Sequence, residues 1–204
     1  MQTKKDEIYH KILSTARIEF MKKGYMNTSM RTIAKQSEVS LSNIYNYFKN
    51  KDEIFKEILL PAVSALDKIM DYHSSEEYLT IDVFTSPEYL RRQTLIFVEL
   101  IVKFRDELVI LLSQSHGSSL EGYKEKYIER HAQSGLNYIR LMKEKYPYIS
   151  ADFSDFFIHT MSSWWINILE ELAMHNINKV ELERFVTEYI TFATAGWKEL
   201  MKVK

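Results

Sequence analysis

Residues 37–55 read SEVSLSNIYNYFKNKDEIF. The spacing predicts a short helix over Leu41–Phe48. A helix of that length holds only when packed, so Ile44 and Phe48, one turn apart and backed by Val39, must point inward. That leaves Leu41, Ser42, Asn43, Tyr45, Asn46 and Tyr47 outside, where a surface helix normally carries Lys and Glu. Two helices joined by a short turn, the second polar on its outer face, form a helix-turn-helix that can lie in a DNA groove. Ser40 as N-cap leaves the first N–H groups of the short helix outward for a phosphate. Tyr45, Tyr47 and Lys51 suit phosphate contacts, which position a helix without reading sequence. Ser42, Asn43 and Asn46 suit base edges, and Leu41 suits a thymine methyl.

Outward from this stretch the pattern is helical nearly throughout, with 5 Gly and 3 Pro in 204 residues. A first helix is expected over Asp6–Lys23, with Ile8, Ile12, Leu13, Ala16 and Phe20 on one stripe and Gly24 as its stop. A second starts after Thr28 as N-cap and turns Met30, Ile33 and Ala34 inward. Asn50 with Glu53 forms a capping box opening a long helix from Lys51 to about Tyr72, and Pro61 should bend it. Further helices are expected over Glu88–Gln114 with a break near Phe104–Glu107, from Ser118 with Glu121 to Tyr146, over Asp152–His175, and over Lys179–Met201 after an Asn178/Glu181 capping box. Residues 1–53 would form the helix-turn-helix domain and residues 54–204 a helical body.

Residues 24–55, GYMNTSMRTIAKQSEVSLSNIYNYFKNKDEIF, closely resemble the DNA-binding segment of the TetR family of bacterial transcriptional repressors. The matching positions are Gly24, Tyr25, Thr28, Ser29, Ile33, Ala34, Val39, Ser40, Ile44, Tyr45, Tyr47, Phe48, Lys51 and Glu53. The resemblance implies an all-α fold: an N-terminal three-helix DNA-binding domain, then a C-terminal helical domain for effector binding and dimerisation. It places Thr28, Ser29, Tyr45, Tyr47 and Lys51 on phosphates, and Leu41, Ser42 and Asn43 in the major groove. Glu38 and Ser42 stand where the family commonly has glycine. Glu38 must either adopt a left-handed backbone or shift the turn, and it brings negative charge toward DNA.

Composition agrees with this reading and excludes others. A chain with 46% hydrophobic and 27% charged residues can bury a core, and no Cys provides a disulfide or thiolate site. The first ten residues lack an apolar signal core, and no apolar run approaches the ~20 residues of a membrane span. A cytoplasmic protein without membrane partners is expected. Residues 1–58 carry 11 Lys/Arg against 7 Asp/Glu, a basic head on an acidic remainder. No pair of the six histidines has metal-site spacing on a helix, and no phosphate loop or catalytic triad signature occurs. Neither enzyme activity, cofactor nor metal is expected.

One helix-turn-helix reads too few base pairs alone, so pairing with a second copy on double-stranded operator DNA is expected. The last two helices carry apolar stripes that suit a homodimer interface: Phe157, Met161, Trp164 and Ile168 on one, and Phe185, Tyr189, Ala193, Gly196 and Trp197 on the other. In the middle helices, aromatic residues surround a few polar groups, the make-up of a small-molecule site. Phe97, Glu99, Leu100, Phe104, Tyr127, His131 and Trp165 are the candidate lining of a pocket for an unknown effector.

Overall fold

The structure, a computed structural model, describes residues 4–204, and the described residues form helices and connecting turns. In chain order these are α1 (Lys4–Lys23), α2 (Met30–Ser37), α3 (Leu41–Ile44), α4 (Lys51–His73), a 3₁₀ turn at Glu76–Tyr78, α5 (Asp82–Thr85), α6 (Pro87–Ser113), α7 (Tyr123–Lys145), α8 (Asp155–Met174) and α9 (Lys179–Leu200). The chain packs as two compact units, neither a single stretch of sequence. One runs to Ser64 and includes Asp106–Lys124; the other comprises Ala65–Arg105 and Glu125–Lys204.

In the first unit, Ile12, Ala16 and Phe20 of α1, Ile33 of α2, Ile44 of α3, and Ile54, Phe55 and Leu59 of α4 are fully buried. Phe20 and Tyr25 both meet the Phe55 ring edge-on, with centroids 5.0 and 4.8 Å away. Gly24, at φ 73°, ends α1 in the left-handed region that a Cβ would strain, and its N–H donates to Phe20 O at 2.8 Å. The segment Asp106–Lys124 closes on this core. Arg17 pairs with Glu107 at 2.6 Å and with Asp106 at 3.2 Å, and the Tyr25 N–H donates to Gln114 O at 3.0 Å.

Several boundaries differ from expectation for identifiable reasons. The N-cap of α2 is Ser29, not Thr28: Ser29 is extended and its Oγ accepts from Thr32 N at 3.0 Å. Helix α3 stops at Ile44 and continues as tight turns, Asn46 N to Asn43 O and Tyr47 N to Ile44 O, beside which Asn46 Nδ2 donates to Asn43 Oδ1 at 3.3 Å. Helix α7 starts at Tyr123, not Ser118, since Gly122 is left-handed at φ 73° and Glu121 bonds His116 and the Gly117 N–H instead of capping. Helix α8 starts at Asp155, where Ser154 caps Phe157 N. Asn50 and Asn178 cap Glu53 and Glu181 as expected. Helix α6 has its break at Phe104, with φ −124° and ψ 23°. Helix α4 runs on through Pro61, whose ring lies on the exposed side beside exposed Leu60.

In the second unit, Met142, Ile149, Met201 and Val203 form one core cluster and Ala132, Ile139 and Ile158 another, bridged by Tyr138, Phe153 and Trp197. Gly135 on α7 faces Ile158 of α8, whose Cγ2 would stand in ordinary contact, 3.4 Å, from a Cβ at that position.

Glu38 resolves the turn question. It is left-handed at φ 54° and ψ 28°, ends α2 through its own N–H, and pairs with Lys11 at 3.0 Å. Both side chains are largely exposed, so the pair contributes little, whereas a left-handed non-glycine residue costs roughly 1–2 kcal/mol. Glu38→Gly should therefore stabilise the protein by about 0.5–1 kcal/mol, net of glycine's looser unfolded chain. Glu38→Ala, which loses the ion pair and keeps the strain, serves as control. A Glu38→Gly unfolding midpoint no higher than that of Glu38→Ala would remove backbone strain from the account.

Candidate nucleic-acid interface and body cavity

The outer face of the first unit is set by its short helix. With Ile44 and Phe48 buried and Val39 beneath them, Ser40, Ser42, Tyr45 and Asn46 are exposed, and Leu41, Asn43 and Tyr47 are half-buried. Ser40 Oγ accepts from Asn43 N at 3.3 Å and lies 3.2 Å from Ser42 Oγ. Ser29 Oγ lies 2.9 Å from Thr32 Oγ1 at the exposed start of α2. The ring of Tyr9 stacks on Phe48 at 5.4 Å, and its hydroxyl donates to Glu57 Oε1 at 2.6 Å. Burial, then the Glu57 carboxylate, pushes the Tyr9 phenol up to about 12.

Two of the residues expected at phosphates, Thr28 and Lys51, already have partners within the protein. Thr28 is 2% exposed, and its hydroxyl donates to the carbonyls of Gly24 at 2.9 Å and Glu19 at 3.3 Å. The Lys51 ammonium donates to the carbonyls of Tyr25 at 2.6 Å and Thr28 at 2.7 Å, and lies 3.9 Å from the centre of the Tyr25 ring. Burial lowers the Lys51 pKa, and the neighbouring Asp52 charge opposes that shift. Thr28 and Lys51 shape the turn that aims α2.

The second unit carries a partly open cavity of about 250 Å³. Its walls come from the end of α4, from Tyr78, Val83 and Phe84, and from α6, α7, α8 and α9. Phe97 meets the Trp165 ring edge-on at 4.1 Å, and Tyr189 stacks on it at 6.1 Å. The polar groups are sparse. His73 Nε2 lies 3.3 Å from Gln93 Oε1, and His131 Nδ1 lies 2.9 Å from Ser162 Oγ. Burial lowers the His73 pKa against the opposing Gln93 bond. Burial, then His73 nearby, pushes His131 down to about 4. Both imidazoles are therefore neutral at pH 7, while burial raises the phenols of Tyr78 and Tyr138 far above their usual range.

Residues 12–58 match the sequence profile described as bacterial regulatory proteins, tetR family. The helix-turn-helix segment belongs to the TetR family. The transcriptional regulator QacR of Staphylococcus aureus is 47% identical over 49 residues, covering 24% of this chain and 26% of QacR. The regulator YhgD of Bacillus subtilis is 37% identical over 60 residues, covering 29% of this chain and 31% of YhgD. The chain thus spans about a quarter to a third of the length of these curated relatives. A TetR-like transcriptional regulator from Rhodococcus sp. RHA1 shares the fold over 93% of this chain and 96% of its own, with a TM-score of 0.62 and 17% identity. Likeness of sequence is concentrated in the TetR segment; beyond it, likeness is of fold.

Outside that segment the cavity redistributes the expected residues. Phe97, His131 and Trp165 line it as anticipated. Glu99 is exposed, and Leu100, Phe104 and Tyr127 lie off the lining. Tyr127 is 1% exposed and interacts with Trp165 from behind; burial is the main cause of its phenol rising to about 12. Met161, Tyr189, Ala193 and Trp197, expected against a partner chain, line the cavity. Phe157 packs on Trp197 at 5.7 Å. Trp164 and Phe185 are exposed, Ile168 is half-buried, and Gly196 is open, with no atom within 4 Å of where a Cβ would stand. Beside them Phe156 and Phe192 are 80% and 68% exposed, and Trp164 meets Phe192 at 5.8 Å.

Sequence reading passes over His73, Gln93 and Tyr78. A signal was available for His73, which closes an amphipathic helix whose stripe includes Leu66 and Met70. It also passed over Arg31 and Lys49, exposed cations on and beside the helix-turn-helix.

His131 carries a pH consequence. It stays neutral in the folded chain to about pH 4, while the unfolded chain binds its proton near 6.5. Between these values the unfolded state holds more protons, so stability falls as pH drops through the window, by roughly 1–3 kcal/mol for a histidine partly reached by cavity water. His131→Asn should lose less thermal stability than the parent between about pH 6.5 and 4.5. Identical declines would show that His131 does not titrate across folding.

Proposed function

We propose that this chain is a dimeric, cytoplasmic transcriptional repressor that leaves its operator when a small molecule occupies the body cavity. The observation that carries the reading is the face of α3: a four-residue helix seated on buried Ile44, which with the turns that follow it leaves Ser42, Tyr45 and Asn46 exposed within a TetR-like segment. In that reading Ser29, Ser40, Tyr45 and Tyr47 meet phosphates, and Leu41, Ser42, Asn43 and Asn46 lie against base edges. Thr28 and Lys51 hold the scaffold from behind.

Dimerisation through α8 and α9 is supported by the apolar surface left on one chain. Trp164, Phe185, Phe192 and Leu200 are each at least 38% exposed, and Gly196 leaves room for close approach. Contiguous exposed apolar area of this kind marks an interaction surface. Pairing places two recognition helices about 34 Å apart for successive major grooves. Coupling runs through α4, which begins at Lys51 in the helix-turn-helix and ends at His73 in the cavity wall. An effector that favours one setting of α4 over another shifts operator affinity by that difference in binding.

The deciding experiment is binding of the purified protein to DNA from upstream of its own gene, over a salt series. Affinity should fall roughly a hundredfold or more between about 50 and about 200 mM salt, as counterion release requires. Tyr45→Phe should weaken binding to all sequences alike, and Asn43→Ala should change which sequence is preferred. Salt-insensitive binding, or equal losses for both variants on every sequence, would refute these roles. Phe192→Arg should shift the protein from dimer to monomer in sedimentation equilibrium and abolish tight operator binding. A dimer that persists in the variant would move the interface elsewhere.

A further inference from the structure

The cavity has a chemical character that narrows its occupant. None of its lining residues is Asp, Glu, Lys or Arg, and its two histidines are neutral. An organic ion entering it would give up its hydration with no countercharge to meet it. The walls are apolar and aromatic, chiefly Phe84, Phe97, Ile139, Trp165 and Trp197.

Two polar atoms in this lining lack partners. Gln93 is 8% exposed; its Oε1 is engaged by His73 Nε2, and its Nε2 is buried with no hydrogen-bond partner. The Tyr138 hydroxyl is likewise buried and unpartnered. The Tyr138 phenol stays protonated because burial opposes its anion. Both atoms can donate, and buried donors are normally satisfied by protein or by ordered water that a guest can displace.

We propose that the cavity selects a compact, uncharged, largely apolar molecule bearing a hydrogen-bond acceptor such as a ketone or ester carbonyl, which Gln93 Nε2 and Tyr138 Oη engage. The inference rests on reading the cavity as the effector site. Its size, about 250 Å³, is at the small end of ligand sites and suits a molecule of about one or two rings in volume. The acceptor sets orientation, the aromatic walls supply contact area, and the missing countercharge rejects organic cations and anions of equal shape.

The test uses the full chain and four probes of matched shape: acetylnaphthalene, ethylnaphthalene, naphthoate and naphthylmethylammonium. Binding is followed by calorimetry and by quenching of tryptophan fluorescence, since Trp165 and Trp197 line the cavity. Acetylnaphthalene should bind about tenfold tighter than ethylnaphthalene, and both tighter than either ion. In Gln93→Leu and Tyr138→Phe the acetyl preference should shrink, while ethylnaphthalene binds as well or better, which also confirms that the variants fold. Either ion binding as tightly as acetylnaphthalene, an acetyl preference unchanged in both variants, or no binding by any probe overturns the proposal. Operator binding with and without acetylnaphthalene separates the two readings. If the probe shows the predicted preferences but leaves operator affinity unchanged, the ligand class stands and regulation through the cavity falls.

Discussion

The first turn of α4 is the joint on which the helix-turn-helix unit depends. Lys51 places its ammonium on the carbonyls of Tyr25 and Thr28 and over the Tyr25 ring, and Asp52 accepts the Ser119 N–H at 2.9 Å. A partly desolvated ammonium is costly unless its donors are used, and here two carbonyls at the end of a left-handed turn use them. The same turn needs Gly24 at positive φ and the inward Thr28 hydroxyl. Ser29 then falls at the cap of α2, which fixes where that helix starts and so where α3 emerges. Asp52 ties in the loop following α6, so the unit that presents α3 also contains residues 106–124.

Apolar periodicity made much of this legible. Ile44, Phe48 and Val39 are buried because no other face of so short a helix could hold it, and Asn50 and Asn178 cap because side chains of that type three residues before a Glu have few better options. The break at Phe104 could be anticipated; the role of Lys51 could not. Its carbonyl partners lie 26 and 23 residues earlier, and a free surface lysine and one that braces a turn look alike in sequence. Thr28 misled in the same way, since a threonine before a helix reads as a cap until its neighbour Ser29 is seen to do that work.

Helical spacing also distinguishes inside from outside without distinguishing core from cavity. On α9, Tyr189, Ala193 and Trp197 recur every four residues and line the cavity, while Phe185, Phe192, Gly196 and Leu200 lie on the exposed side. A sequence reading merges these into one broad apolar stripe. The helix in fact serves two surfaces, and the narrow division between them is why the expected interface residues separated into two groups. Glu99 was the converse case: an acid within an apolar run that simply faces water.

A void lined by aromatic rings and unpartnered donors is not what selection for stability alone would leave, because well-packed cores fill such space and pair such atoms. Gln93 sharpens the point. His73 occupies its oxygen and thereby commits the amide nitrogen, and both imidazoles stay neutral because burial disfavours their charged forms. Filling the void with larger apolar side chains would be the simple route to a more stable body. The chain instead keeps an uncharged, partly unsatisfied chamber walled in part by His73 at the end of α4. Stability forgone at Gln93 and Tyr138 is available to whatever molecule completes their hydrogen bonds.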